Sequence, residues 1–314
     1  MKALMKYFFL LALILNYSAV KSQDGKIIEQ VAYSLPDSIL VRDAKYFDKK
    51  LMDSVNFYHI TYLSDGLKVK GYLSVPKQNG KYPCVIYNRG GNRNNAAITD
   101  YSFLATNYNL SCNGYVVVAS QYRGNAGGEG AEEFGGKDMD DVLNLIPLLN
   151  NVRNADTSRI GMRGGSRGGM MTYLALTKIN FLKAAVVISA VTDFKQAIES
   201  VDWADTMFYN WLPEYRANKE DWMKKRSPVL YADKICKTTP IFIIHGTADD
   251  RVPTKQVIEL AKIFYEIKQP YRLAFFEGGG HGIWKFKTEI DRQVKGFFDD
   301  YLRDGKKVPS LEPH

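Results

Sequence analysis

Apolar and polar positions alternate from Val55 to Leu63, the period of a half-buried strand. Ser64-Asp65-Gly66 supplies a turn, and Lys68 to Val75 alternates again, so the spacing predicts an antiparallel hairpin. Beyond it the pattern changes to short unbroken apolar runs at 84–87, 115–119, 185–189 and 241–244. Such runs suit strands buried on both faces, as a parallel sheet requires. Helical spacing fills the intervals at 141–149, 170–178, 255–267 and 289–302. Strand–helix alternation predicts an α/β layered domain: a mostly parallel central sheet, helices on both faces, and the hairpin added at one edge. Residues 190–235 break the rhythm. They lack strand runs and carry Phe194, Trp203, Phe208, Tyr209, Trp211, Tyr215 and Trp222, which predicts a small helical cap inserted between two strands.

The first 22 residues follow another logic. Lys2 and Lys6 precede the apolar run 7–15, and Ser18, Ala19 and Ser22 follow it. That order is expected of a secretory signal peptide, cleaved after Ser22, and the run is short for a membrane span. The expected division is therefore a signal peptide at 1–22, an extension at 23–54, a catalytic domain at 55–303 and a tail at 304–314. Export to the periplasm or the exterior follows, with no stable membrane association after cleavage.

Composition narrows the classes. At 46% hydrophobic and 24% charged over 314 residues, the chain is expected to fold around a core. Loss of Lys2, Lys6 and Lys21 lowers the formal charge from +8 to +5. The remaining lysines are scattered, so nucleic acid is not an expected partner. Lys224-Lys225-Arg226, the densest cluster, is read as solvated surface. Cys84, Cys112 and Cys236 form no disulfide framework, although a Cys84–Cys112 bridge stays open. Asp138, Asp140 and Asp141 lack the glycine and terminal Glu of a calcium loop and are read as a helix start. No metal or cofactor is expected.

The chemistry gathers in three places. Gly164-Gly165-Ser166-Arg167-Gly168-Gly169 follows a short strand, 159–163, and opens a helix, the setting of a nucleophile elbow. Gly164 and Gly168 keep the turn clear, Ser166 projects above the sheet, and the Arg167 amide faces the place where an oxyanion forms. Nucleotide-loop glycine spacings cannot be threaded through it. His245-Gly246-Thr247-Ala248-Asp249-Asp250 emerges at the end of a buried strand, where either aspartate is chemically able to orient a histidine. Glu277-Gly278-Gly279-Gly280-His281-Gly282 follows the strand 271–276 and offers that histidine. Ser166, Asp249, His281 is the chain order of the α/β-hydrolase fold. A second oxyanion donor is expected from the loop 88–92, through the Asn88 side chain or a loop amide.

These motifs, with Ser64-Asp65-Gly66-Leu67, Tyr122-Arg123-Gly124 and Arg226-Ser227-Pro228, resemble the catalytic domain of the prolyl oligopeptidase (S9) family from about Asp65 to Leu302. The resemblance implies a serine peptidase acting on short peptides, with Asp249 rather than Asp250 as the catalytic acid. It also places Phe194 and Val252 at an apolar substrate pocket. Asn88 stands where family members often carry a tyrosine. Residues 23–64 are too few for the family's β-propeller, so its size filter is expected to be missing. Glu129, Glu132 and Glu133 are read as a solvated acidic loop. Two other readings share the same residues: a carboxylesterase on small or sugar-linked acyl esters, and a non-catalytic binding protein on a hydrolase fold.

Overall fold

A computed structural model describes residues 23–309 and Leu311. The signal peptide expected at 1–22 lies outside these residues, and so does part of the tail. Among the described residues nine strands form one sheet: β1 (Ile27–Tyr33), β2 (Val55–Ser64), β3 (Leu67–Pro76), β4 (Tyr82–Asn88), β5 (Val116–Ser120), β6 (Ala155–Gly165), β7 (Ala184–Ile188), β8 (Ile241–Gly246) and β9 (Tyr271–Phe276). Their order is β1-β2-β3-β5-β4-β6-β7-β8-β9. From β5 to β9 every pairing is parallel, and β1, β2 and β3 pair antiparallel. The edge is thus β1, from the extension, and not the expected hairpin β2–β3. Its Ile-Ile-Glu-Gln-Val-Ala-Tyr run is largely exposed, so no clean two-residue period marks it.

The central strands are apolar on both faces because both are covered. Cys84, Ile86, Val116, Val118, Ile160, Met162, Ala185, Val187, Ile241 and Ile243 pack on one side with the helices Arg167–Leu176 and Thr254–Glu266. Val85, Val117, Ala119, Ala184, Val186, Phe242 and Ile244 pack on the other with Asp100–Ser111 and Lys287–Phe298. All three cysteines are free thiols; Cys84 and Cys112 belong to opposite cores and cannot meet across the sheet.

The cap lies between β7 and β8 as the helices Phe194–Glu199, Asp202–Trp211, Pro213–Ala217 and Lys219–Arg226. Trp222, fully buried, centres it, with Phe194 and Phe208 each 5.0 Å away between ring centres. Three sequence expectations need correction. The helix expected at 141–149 is two, Asp138–Leu143 and Leu145–Asn150, because Pro147 has no amide for the Leu143 carbonyl. Arg226 is not solvated: it is buried and donates to Phe134 O (2.7 Å) and Glu133 O (3.2 Å), fastening the cap to the loop below. Asp138 and Asp141 do open a helix, but both are fully buried ion-pair partners, of Arg167 and Arg123 respectively.

Candidate active site

β6 runs straight into the helix Arg167–Leu176 through Ser166, whose φ of 52° and ψ of −123° lie in a strained region for a residue with a Cβ. Glycines make the turn possible. A Cβ on Gly164 would stand 2.1 Å from Gly168 O, and one on Gly168 2.0 Å from Asn88 O. Ser166 N donates to Ile188 O at 2.8 Å, which holds the elbow against the end of β7. The hydroxyl is left partly exposed at the C-terminal edge of the sheet.

The loops after β8 and β9 are laced together. Thr247 N donates to Phe276 O (3.0 Å), Ala248 N to Gly279 O (2.9 Å) and Gly278 N to Thr247 Oγ1 (2.9 Å). Gly246 allows this contact, since a Cβ there would meet Gly279 O at 2.1 Å. The lacing brings His281 between Asp249 and Ser166. His281 Nε2 is 3.0 Å from Ser166 Oγ, and Nδ1 is 3.0 Å from both oxygens of Asp249. Chemistry fixes the tautomer: Nδ1–H donates to the carboxylate and Nε2 accepts from the hydroxyl. Burial alone would raise the Asp249 carboxyl. Hydrogen bonds from His281 and from the Val252 (2.9 Å) and Arg251 (3.0 Å) amides outweigh it and hold the group below the ordinary carboxylate range. Asp250 is exposed and makes no such bonds. Asp249→Asn is therefore expected to lower kcat by about 10⁴-fold through the wrong histidine tautomer, and Asp250→Asn by no more than a few-fold. A reversed ranking in steady-state kinetics would move the acid by one position.

His245 completes the support beneath. It is fully buried and its Nε2–H donates to Val252 O at 2.9 Å. Burial pushes its pKa down, so the folded protein keeps it neutral at pH values where the unfolded chain protonates. Stability is then lost as pH falls below the unfolded value of about 6.5, by up to about 1.4 kcal/mol per pH unit. His245→Gln is expected to flatten that slope in denaturant titrations; an unchanged slope would assign it to other groups.

The oxyanion residues divide. The Arg167 amide is the first of its helix and has no intrahelical acceptor. The Asn88 side chain is a different matter: it is buried, donates to Thr172 Oγ1 at 3.0 Å and does not reach the cavity. This corrects the expectation for its side chain. The neighbouring Gly90 takes the place beside the nucleophile, where a Cβ on it would lie 3.5 Å from Ser166 Cβ.

A further set of residues was misjudged from the sequence. Glu132 does not belong to a solvated loop. It is 7% exposed and accepts from Arg89 Nη2 (3.3 Å), Arg167 Nη1, Asn125 Nδ2 and the Arg93 amide (3.2 Å). Arg167 also pairs with Asp138, donates to Gly91 O (3.1 Å) and lies between the rings of Tyr122 and Phe134 (4.5 and 4.4 Å). Arg89 donates to Gln121 O, Gly90 O and Arg93 O. Two guanidinium and two carboxylate groups thus form a charge-balanced cluster beneath the elbow. It ties the loop 89–93 to the residue after the nucleophile.

Ser166 and His281 open into a cavity of about 660 Å³. One flank is apolar, built by Phe134, Phe194, Ile198, Met207, Phe208 and Val252, so Phe194 and Val252 do wall it.

A nine-stranded, mostly parallel sheet with a cap, an elbow and these loops defines an α/β-hydrolase. Comparison with known proteins goes further. The Prolyl oligopeptidase family profile matches residues 101–305. The chain is 30% identical to a Bacillus subtilis protein described as uncharacterized peptidase YtmA, over 72% of this chain and 86% of that one. It is 24% identical to the acylamino-acid-releasing enzyme of Sus scrofa, over 74% of this chain and 33% of that enzyme. The chain spans between about a third and two fifths of several longer curated relatives. Among solved structures, Pyrococcus horikoshii acylaminoacyl peptidase superimposes with a TM-score of 0.69 at 22% identity, covering 86% of this chain and 44% of that one. An acetyl xylan esterase from Paenibacillus sp. R4 gives 0.65 at 17%, covering 92% and 94%. The chain belongs to the prolyl oligopeptidase family and is a serine hydrolase.

Proposed function

We propose that this protein is an exported serine peptidase that cleaves short peptides through an acyl-enzyme on Ser166. The observation that carries the reading is the unbroken hydrogen-bonded row Ser166–His281–Asp249 at the mouth of a cavity with one apolar flank. A serine hydroxyl is a weak nucleophile at neutral pH and needs a base within reach. His281 Nε2 takes its proton as Oγ attacks the scissile carbonyl, and Asp249 stabilises the imidazolium. The Arg167 amide and an amide of the loop that carries Gly90 are the donors assigned to the developing oxyanion; each such donor is worth about 2.7–4 kcal/mol in the transition state. His281 then protonates the leaving amine, and water repeats the cycle on the acyl group.

The peptide substrate follows from the family and from relatives described as peptidases and acylamino-acid-releasing enzymes. Phe194 and Val252 fit the side chain of the acyl residue. Export rests on the composition of residues 1–22. Parallel kinetics on a proline-containing dipeptide anilide and a short-chain aryl ester test the substrate class. Turnover of the anilide supports a peptidase, whereas turnover of the ester alone makes the protein a carboxylesterase.

A further inference from the structure

Five arginines are at least nine-tenths buried: Arg89, Arg123, Arg163, Arg167 and Arg226. Four have a carboxylate in contact, namely Glu132, Asp141, Glu132 with Asp138, and Glu214. Arg163 has none among the described residues. It donates one hydrogen bond, from Nη1 to Thr106 O at 2.9 Å, and its guanidinium carbon lies 6.0 Å from the Tyr87 ring centre. A guanidinium carries five N–H donors, and burying one without an anion is costly. The nearest carboxylate, Asp291, lies beyond ion-pair distance and is held by Lys287.

Arg163 faces the cavity from the side opposite the cap. It stands on β6 two residues before Gly165, so the two share a face of the sheet. Both line the cavity with Ser166. Gly165 differs from the other elbow glycines. A Cβ there would meet nothing closer than Ile188 O at 3.7 Å, so packing does not demand a glycine. Without a side chain it leaves open the space between Arg163 and the nucleophile. Lys287 and Asp291 complete this flank, and with Arg163 they leave one net positive charge.

The chemistry decides what lies there. His281 hands its proton to the leaving amine, and with the acyl side chain assigned to the apolar flank of Phe194 and Val252 the leaving fragment falls to the other flank, lined by residues that follow His281. Trp284 and Lys287 are those residues, and Lys287 belongs to the charged flank. We infer that Arg163, with Lys287, binds the free C-terminal carboxylate of the leaving fragment. The preferred substrates are then peptides cut one or two residues from a free C-terminus. The C–N bond breaks, the amine takes the proton from His281, and the carboxylate stays ionised throughout. This deepens the peptidase reading and rests on it for the placement of the leaving group.

The test is calorimetric binding of leucyl-glycine and of leucyl-glycinamide to the purified protein, beside turnover of a neutral aryl ester. The two ligands share amine and side chains and differ only in the terminal charge. The acid is expected to bind at least about tenfold tighter than the amide, the scale of a charge-assisted hydrogen bond. Arg163→Gln is expected to bring the ratio close to one, and Lys287→Met to narrow it in part. Equal binding of acid and amide by the unaltered protein, or binding of neither, overturns the inference and depends on no variant folding. Ester turnover with equal binding would leave the hydrolase standing. Acid-selective binding with no acyl turnover would keep the anion site and remove the hydrolase.

Discussion

Replacing Ser166 by alanine is expected to cut turnover by about 10⁶-fold, and adding His281→Ala is expected to cost little more. The reason is geometric. The Ser166 hydroxyl and His281 Nε2 are 3.0 Å apart and share one proton, so neither has catalytic work without the other. A lone histidine has no nucleophile to activate, and a lone serine keeps its proton. Residual rate over water would come from the oxyanion amides and from binding. The measurement is kcat/KM for each single variant and the double variant on one substrate. Near-additive losses, each multiplying the other, would mean that the two groups act in separate steps.

The second large effect is expected on stability. Glu132→Ala should lower the free energy of unfolding by about 3–5 kcal/mol, the cost of leaving buried charge uncompensated. Arg89 and Arg167 both lean on this carboxylate, and each is only 1% exposed. Asp138 alone cannot balance both. Activity should fall with stability, because Arg89 and Arg167 hold the loop that carries Gly90 and Gly91 against the elbow. Glu129→Ala serves as the control. Glu129 is exposed; its carboxylate accepts from the Lys68 amide at 2.9 Å and pairs loosely with Lys68 Nζ at 3.9 Å, so a loss of no more than about 1 kcal/mol is expected from urea denaturation. Equal small effects at the two positions would show that water reaches the cluster.

The contrast between Glu132 and Ser166 shows what a single sequence exposes. Ser166, Asp249 and His281 were legible because each sits on a local signal: glycine spacing, the end of an apolar run, a post-strand loop. Their order then supplied the fold. The parallel strands were legible for a similar reason, since burial on both faces leaves an uninterrupted apolar run in the chain. Glu132 has no local signal. Its neighbours in sequence include the exposed Glu129 and the half-buried Glu133, and only the path of the loop 122–137 back under the elbow buries it. Arg163 was hidden in the same way. The period of strand β6 shows which face it shares with Gly165, but not that Asp291, on a helix packed there, stops short of ion-pair distance and is held by Lys287. The Asn88 side chain was misplaced because its partner, Thr172, is distant in sequence and close only once the helix after Ser166 packs on β4. The edge strand β1 was missed because it is exposed on both faces from Ile28 to Ala32, so burial imposes no two-residue period on its sequence. The break at Leu143 had a signal in Pro147.

The most direct measurement is peptide-level mass spectrometry after treatment with a neutral fluorophosphonate. The row of hydroxyl, imidazole and carboxylate predicts one adduct per chain, located on Ser166, forming far more slowly in His281→Ala and absent in Ser166→Ala. An unlabelled wild-type protein, or an adduct on any other residue that carries the activity with it, would contradict the account.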